Sequence, residues 1–218
     1  MALKKRLSVI RVEDEAGRAQ ALEVLRAIYR DEKDWVRDEI SQFPHADLAE
    51  VSISWFVVRV DTKPVGVLRV LYDLPLHLYR EYGFKLLNDE IDVEAFCRQH
   101  QIAEIGRFAV LPQYRKHIVV VISLMRAAIL DTVKRGYTHY ISDVFEDELH
   151  SPYQLLTRVM GFQPAATHDV GELNCRSRRI TLILDIKAAY QRLQPQGGFV
   201  YRFLTEGWDE KLHQRLTF

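Results

Sequence analysis

The stretch from Ile102 to Phe145 narrows the choice of folds more than any other part of this chain. Ile102 to Val110 reads as a strand and is stopped by Leu111-Pro112. Ile118, Val121, Ile122, Met125, Ile129 and Val133 then recur at three- and four-residue steps, and Gly136 follows them. That spacing makes one apolar stripe on a long helix, and a glycine just past its end suits a left-handed cap. Tyr137 to Phe145 resumes strand character. A strand, a long helix and a second strand form a crossover, which places the two strands parallel.

The other segments add antiparallel pairs. Val51 to Val60 and Val65 to Tyr72 are rich in β-branched and aromatic residues, and Asp61-Thr62-Lys63-Pro64 between them carries turn chemistry. They read as a hairpin. Leu7 to Val12 reads as a first strand, and Leu22, Leu25, Ile28 and Tyr29 stripe a helix over about 14–30. Trp35 to Glu50, with Phe43-Pro44-His45, reads as a short helix plus loop. Asp73 to Gln101 is a long excursion, helical in part. Ser151 to Met160 reads as a helix ending at Gly161, and Arg179 to Ile186 as an apolar strand. The stretch from Gln163 to Asn174 has room for a partner strand. The expectation is one α/β domain over residues 1–218, with 191–218 an appended C-terminal arm. Phe199, Tyr201, Phe203 and Trp208 supply that arm with apolar anchors, either to seal a sheet edge or to make a homodimer contact.

Composition excludes several classes. Hydrophobic residues at 48% and charged residues at 28% suit a globular enzyme with a real core. Lys plus Arg equals Asp plus Glu, 30 of each, so the basic excess of a general nucleic-acid binder is missing. The longest apolar run, around Ile118 to Leu124, is too short for a membrane span, and the basic start has no apolar run behind it. A cytoplasmic location is expected. Cys97 and Cys175 are far apart in no ligand-like spacing, and the eight histidines form no ligand-spaced cluster. No metal is expected.

The block Glu104 to Arg115, EIGRFAVLPQYR, is followed by a long helix, a strand and a helix ending in Gly161-Phe162. It resembles the core of the GNAT acyltransferase superfamily. That resemblance implies a mixed parallel and antiparallel central sheet flanked by helices, with a helical insertion before the central strand. The insertion that opens with Asp73-Leu74-Pro75-Leu76, and the acidic-x-x-Arg pattern Glu104-Ile105-Gly106-Arg107, are similar to the N-acyl amino acid synthases and acyl-homoserine-lactone synthases. Those enzymes take long acyl chains from acyl carrier protein. The implied donor is acyl-CoA or acyl-ACP, and the implied acceptor an amino acid or similar small amine. In this fold Phe108, Ala109 and Val110 would meet the pantetheine arm, and Arg115, Lys116, His117, Ile118, Val119 and Val120 its phosphate. The pattern departs from the superfamily at Ile118 and Val120, which stand where glycines are expected. A β-branched residue keeps its N–H but resists positive φ and crowds an approaching phosphate.

Each candidate side chain has a structural reading beside its functional one. Glu104 is the candidate base, flanked on its strand face by Gly106, Phe108 and Val110, or else a carboxylate paired with an arginine. Arg107 pairs with Glu104 or Asp143, or orients a substrate carboxylate; a bulge would turn it to the Glu104 face. Asp143 holds the amine or buttresses Arg107. Thr157 stands where many GNAT enzymes carry the tyrosine that protonates the leaving thiolate, and Tyr153, one turn earlier, is the nearest replacement. His150 is a further candidate. Leu74, Leu76, Leu78, Phe84, Leu86 and Leu87 line an acyl channel or form ordinary core. Three readings follow: transfer of a long acyl group from acyl-ACP or acyl-CoA by direct attack, acetyl transfer from acetyl-CoA, and a catalytically silent ligand- or partner-binding module.

Overall fold

A computed structural model of the chain describes residues 7–37, 50–72, 83–88, 92–171 and 173–217. The described strands form one mixed sheet in the order β1-β2-β3-β5-β6-β8-β7-β4. They are β1 (Leu7–Arg11), β2 (Ile53–Val60), β3 (Lys63–Leu71), β4 (Lys85–Leu86), β5 (Ile102–Val110), β6 (His139–Phe145), β7 (Gln163–His168) and β8 (Arg179–Asp185). The helices are α1 (Glu15–Leu25), α2 (Val93–Gln99), α3 (Ile118–Arg135), α4 (Ile186–Leu193), α5 (Phe199–Leu204) and α6 (Glu210–Thr217). Two further segments, Arg26–Glu32 and Leu155–Met160, are wound as π-helix.

The chain divides into two compact units. The first comprises residues 1–71, 105–131 and 172–174, and the second 72–104, 132–171 and 175–218. In the first unit β1 and β3 both pair antiparallel with β2. Val57, Val58, Val65, Val67, Leu68 and Val70 are fully buried there, so the hairpin is covered on both faces. That explains its unbroken apolar run, where a half-exposed strand would alternate. Asp61 takes φ 56° at the hairpin turn, a left-handed conformation that aspartate tolerates. Ile105, Val120, Ile122, Leu124 and Met125 complete this core.

In the second unit β5 and β6 run parallel over Ile102–His139, Ala103–Tyr140 and Glu104–Ile141. β6 also pairs antiparallel with β8, which pairs antiparallel with β7. Tyr140, Leu156, Phe162, Ala166 and Leu182 form the centre of this core. Four aspartates fix its and the first unit's helix starts in the same way. Asp14, Asp92, Asp185 and Asp209 each accept the backbone N–H three residues on. Such a cap satisfies one of the donors a helix start leaves open. Gly136, at φ 87°, ends α3, and Arg215 of α6 donates to the Val133 carbonyl in its last turn.

Three expectations meet a difference. The excursion between β3 and β5 contributes a strand, β4, as well as the helix α2, because Leu87 N–H and the β4 backbone complete the free edge of β7. Leu74, Leu76 and Leu78 lie outside the described residues; Phe84 packs against Ile102 and Ile141, and Leu87 is exposed. The C-terminal arm takes the helical one of its two expected forms, helix or irregular, with Phe203 buried and Trp208 stacked on Tyr190 with ring planes 4° apart, but Phe199, expected as an anchor, is exposed. Among the described residues no helix is long and apolar enough to cross a membrane.

Gly66 marks the tightest approach in the first unit. A Cβ there would lie 2.9 Å from Val58 Cγ1 and 3.2 Å from the Ala109 carbonyl oxygen. The carbonyl belongs to β5 and cannot swing away as a side-chain tip would. Gly66→Ala is therefore expected to destabilise the protein by about 1 to 3 kcal/mol, measured by urea denaturation.

Candidate active site

The first unit holds two buried guanidinium groups. Arg69 on β3 is 6% exposed and Arg107 on β5 is 7% exposed. Arg69 pairs directly opposite Trp55 of β2, and its guanidinium lies 5.9 Å from that ring. Arg107 lies 5.9 Å from the ring of Tyr29. Its backbone is left-handed, at φ 49° in the middle of a strand. The burial alternation of β5 nevertheless runs through it unbroken: Ile105, Arg107 and Ala109 are buried while Glu104, Gly106 and Phe108 are half-buried, so Arg107 keeps the opposite phase from Glu104. Tyr29 sits on the π-helical Arg26–Glu32 segment, and its hydroxyl donates to the Phe108 carbonyl at 3.4 Å. Burial pushes the Tyr29 phenol up to about 12, against the pull of Arg107 and Arg69. It stays neutral at any working pH and is a donor rather than a base.

Past β5, Pro112–Tyr114 makes a 3-10 turn and α3 begins at Ile118. Residues 115–120 all keep negative φ, so the β-branched Ile118 and Val120 sit there without strain. The His117 N–H donates to the Tyr114 carbonyl, and the Val120 N–H to that of His117. The side chains of Lys116, His117 and Ile118 are exposed, Val119 is half-buried and Val120 buried. Arg115 is held on all three nitrogens. Nε donates to the Val110 carbonyl at 2.9 Å, and the two terminal nitrogens donate to Glu32 at 2.8 and 2.6 Å.

The second unit brings Asp143 together with a histidine. Thr181 Oγ1 donates to Asp143 Oδ1 at 2.6 Å, and His168 Nε2 lies 3.1 Å from Oδ2. His168 Nδ1 is 2.7 Å from the Val170 carbonyl, and Phe84 stacks on its ring at 5.2 Å. The imidazole therefore faces an acceptor at each nitrogen, and its side chain is 0% exposed. Burial alone would lower its pKa, but Asp143 and the Val170 carbonyl outweigh burial and the opposing Arg179, and the net shift is upward. Both Asp143 oxygens are engaged by the fold, through Thr181 and His168. Glu104 is half-buried on β5, opposite Ile141. Tyr153 is half-buried, and its carbonyl accepts from Thr157 Oγ1 at 2.8 Å. His150 is exposed at φ 69°. Cys97 and Cys175 are free thiols, and among the described residues no metal-holding group of His, Cys, Asp or Glu is present.

Solved structures supply the comparison. FeeM, an N-acyl amino acid synthase from uncultured soil microbes, superposes with a TM-score of 0.65 over 91% of this chain and 98% of its own, at 14% identity. Arabidopsis thaliana NAA60, solved in complex with acetyl-CoA, gives 0.57 over 83% of this chain and 98% of its own, at 13% identity. The ribosomal-protein-S18-alanine N-acetyltransferase of Escherichia coli gives 0.54 over 83% and 94%, at 14% identity. No family model and no curated protein matches the chain.

The fold is the GNAT fold.

The sequence pointed to Glu104, Arg107, Asp143, Tyr153 and the start of α3, but not to five side chains that the structure pairs within one unit or the other. Tyr29, Glu32, Trp55, Arg69 and His168 were missed. Arg69 had a signal: it is the one charge between Val65 and Leu71 in an otherwise apolar strand. A buried cation on such a strand calls for a reason. Glu32 had none, since it lies in a charged stretch and meets Arg115 only through the fold.

The raised pKa of His168 gives a testable sign. Its stabilising contribution is complete below the unfolded value of about 6.5 and is lost as pH rises through the folded pKa. His139 moves the other way. Burial and the nearby His100 lower its pKa against Asp185, so its contribution is lost as pH falls below about 6.5. Of these two histidines, His168 is the one that acts between pH 6.5 and mildly alkaline pH. His168→Gln is expected to remove a loss of up to about 1.4 kcal/mol per pH unit there, measured by denaturation from neutral to mildly alkaline pH.

Proposed function

We propose that this chain is an N-acyltransferase that moves an acyl group from a phosphopantetheine thioester, acyl-ACP or acyl-CoA, to an amino acid or similar small amine. The observation that carries this reading is the extent of the likeness to FeeM. It takes in 91% of this chain, against 83% for each of the two acetyltransferases. The added length favours the acyl amino acid branch of the fold.

The chemistry asks for few groups. The acceptor amine must be neutral to attack, although a free α-amino group has a pKa of about 7.7 to 8. Glu104 takes its proton, directly or through a water, as the C–N bond forms. Arg107 receives the acceptor's carboxylate by paired hydrogen bonds, and the neutral Tyr29 phenol steadies the guanidinium from the ring side. Phe108, Ala109 and Val110 meet the pantetheine arm, while Arg115, Lys116, His117, Ile118, Val119 and Val120 form the phosphate end of the donor site. The C–S bond breaks, and the thiolate takes a proton from Tyr153. Asp143 contributes by fixing His168 and Thr181.

Acetyl transfer from acetyl-CoA is the second reading, favoured by the likeness to the Arabidopsis protein solved with acetyl-CoA. Thermal stabilisation by acetyl-CoA, palmitoyl-CoA and a long-chain acyl-ACP separates the two, because a ligand that binds only the folded state raises Tm. A shift with the long-chain donors alone supports the first reading, and a shift with acetyl-CoA the second. No shift with any donor overturns both and leaves a silent module. Where turnover is found, Glu104→Gln is expected to lower kcat by about 10²- to 10⁴-fold with the Tm shift retained.

A further inference from the structure

We propose that Glu32 is a donor-specificity residue: by holding Arg115 it disfavours free CoA thioesters and leaves the site suited to a pantetheine arm with a single phosphate. The proposal rests on the acyltransferase reading above and adds a residue and a selectivity to it.

The argument starts from charge. Free CoA carries a diphosphate and a 3′-phosphate, whereas a carrier-bound arm carries one phosphodiester. A site for the first gains from every available cation and amide at the start of α3. Arg115 is the guanidinium at that start, and Glu32 neutralises it through two hydrogen bonds of 2.8 and 2.6 Å. The two side chains are 17% and 27% exposed, so solvent screens the pair only in part. The third nitrogen of Arg115 is anchored on the Val110 carbonyl, which fixes the guanidinium in place. A diphosphate would have to displace a carboxylate already in bidentate contact, and would meet that carboxylate's charge on the way.

The backbone points the same way. The His117 and Val120 amides are already donating to local carbonyls. Ile118 brings an exposed Cβ branch where a close phosphate approach needs space, while Val120 turns into the core. What remains for an anion is the exposed side chains of Lys116 and His117 together with the first-turn amides of Ile118 and Val119. That set matches one phosphate better than three.

Glu32 acts through Arg115, so it is a positioning residue, and the test reads a ratio that a purely structural role would not change. Dissociation constants for CoA and for 4′-phosphopantetheine are measured by calorimetry on the full chain, with Tm as the check on folding. Wild type is expected to bind 4′-phosphopantetheine at least as tightly as CoA. Glu32→Gln is expected to tighten CoA roughly tenfold, the worth of one charge-assisted contact, and to leave 4′-phosphopantetheine nearly unchanged. The double variant Glu32→Gln with Arg115→Gln should return CoA to its wild-type affinity, since the gain passes through Arg115. If either Glu32 variant is poorly folded, Glu32→Asp, which keeps the charge, must leave the affinity ratio at the wild-type value. An unchanged ratio in folded Glu32→Gln, or a changed one in Glu32→Asp, overturns the proposal while the acyltransferase reading stands. Failure of wild type and variants alike to bind either ligand overturns both.

Discussion

Two guanidinium groups that water cannot reach freely set the terms for the first unit. Removing such an ion from water costs several kcal/mol even after the protein relaxes around it, and apolar residues of similar volume often serve stability better. Arg69 nevertheless occupies the hairpin strand with the most complete burial, and Arg107 the strand that follows it in the sheet. Both have an aromatic face within 6 Å, from Trp55 and Tyr29, which recovers part of the cost. Arg107 adds a left-handed backbone, worth about 1 to 2 kcal/mol for a residue with a Cβ. The cost falls on two neighbouring strands, β3 and β5, and the first unit is organised around meeting it.

The π-helical segment from Arg26 to Glu32 follows from the same constraint. It carries Tyr29 to Arg107 and Glu32 to Arg115, so a single widened helical stretch serves both cations. In an α-helix, positions three apart lie on neighbouring parts of one face. The wider winding separates them further, which suits two partners on different elements, β5 and the start of α3. π-helix is also the conformation that local sequence signals announce least, and it collects at functional positions. The second such segment, Leu155–Met160, begins two residues after Tyr153, the proposed proton donor to the leaving thiolate.

The architecture was legible because its signals are local and repeated. Apolar periodicity marked α3, and β-branched density marked β2 and β3. β4 was not legible: a two-residue strand has no periodicity, and it exists because β7 had an open edge. Candidate site residues could be named where a residue breaks a pattern, as Glu104 and Arg107 do on an apolar strand. It was illegible where the meaning of a residue lies in a partner far along the chain. Glu32 and Arg115 are 83 positions apart, and Thr181 and Asp143 are 38 apart. For Asp143 that partner changes the reading, because a carboxylate that accepts from Thr181 on one oxygen and faces His168 on the other has little left for a substrate.

The start of α3 joins these threads. The branched residues at Ile118 and Val120, taken from the sequence alone, admit two explanations, a decayed site or one adapted to a smaller anion. Decay predicts an arginine left idle or lost. Arg115 is instead held on every nitrogen, by a carboxylate from a distant helical segment and by the last carbonyl of β5. A well-formed bidentate pair with 2.6 and 2.8 Å contacts is a specified feature, since an unneeded charge at a half-exposed surface would gain little from such ordering. In the donor site proposed above, the exposed branched side chain of Ile118 and the carboxylate that cancels Arg115 are unrelated in sequence, yet they act in the same direction. Agreement between independent levels is how a chain specifies one outcome, and here both favour the proposed reading of a donor site with modest demand for phosphate.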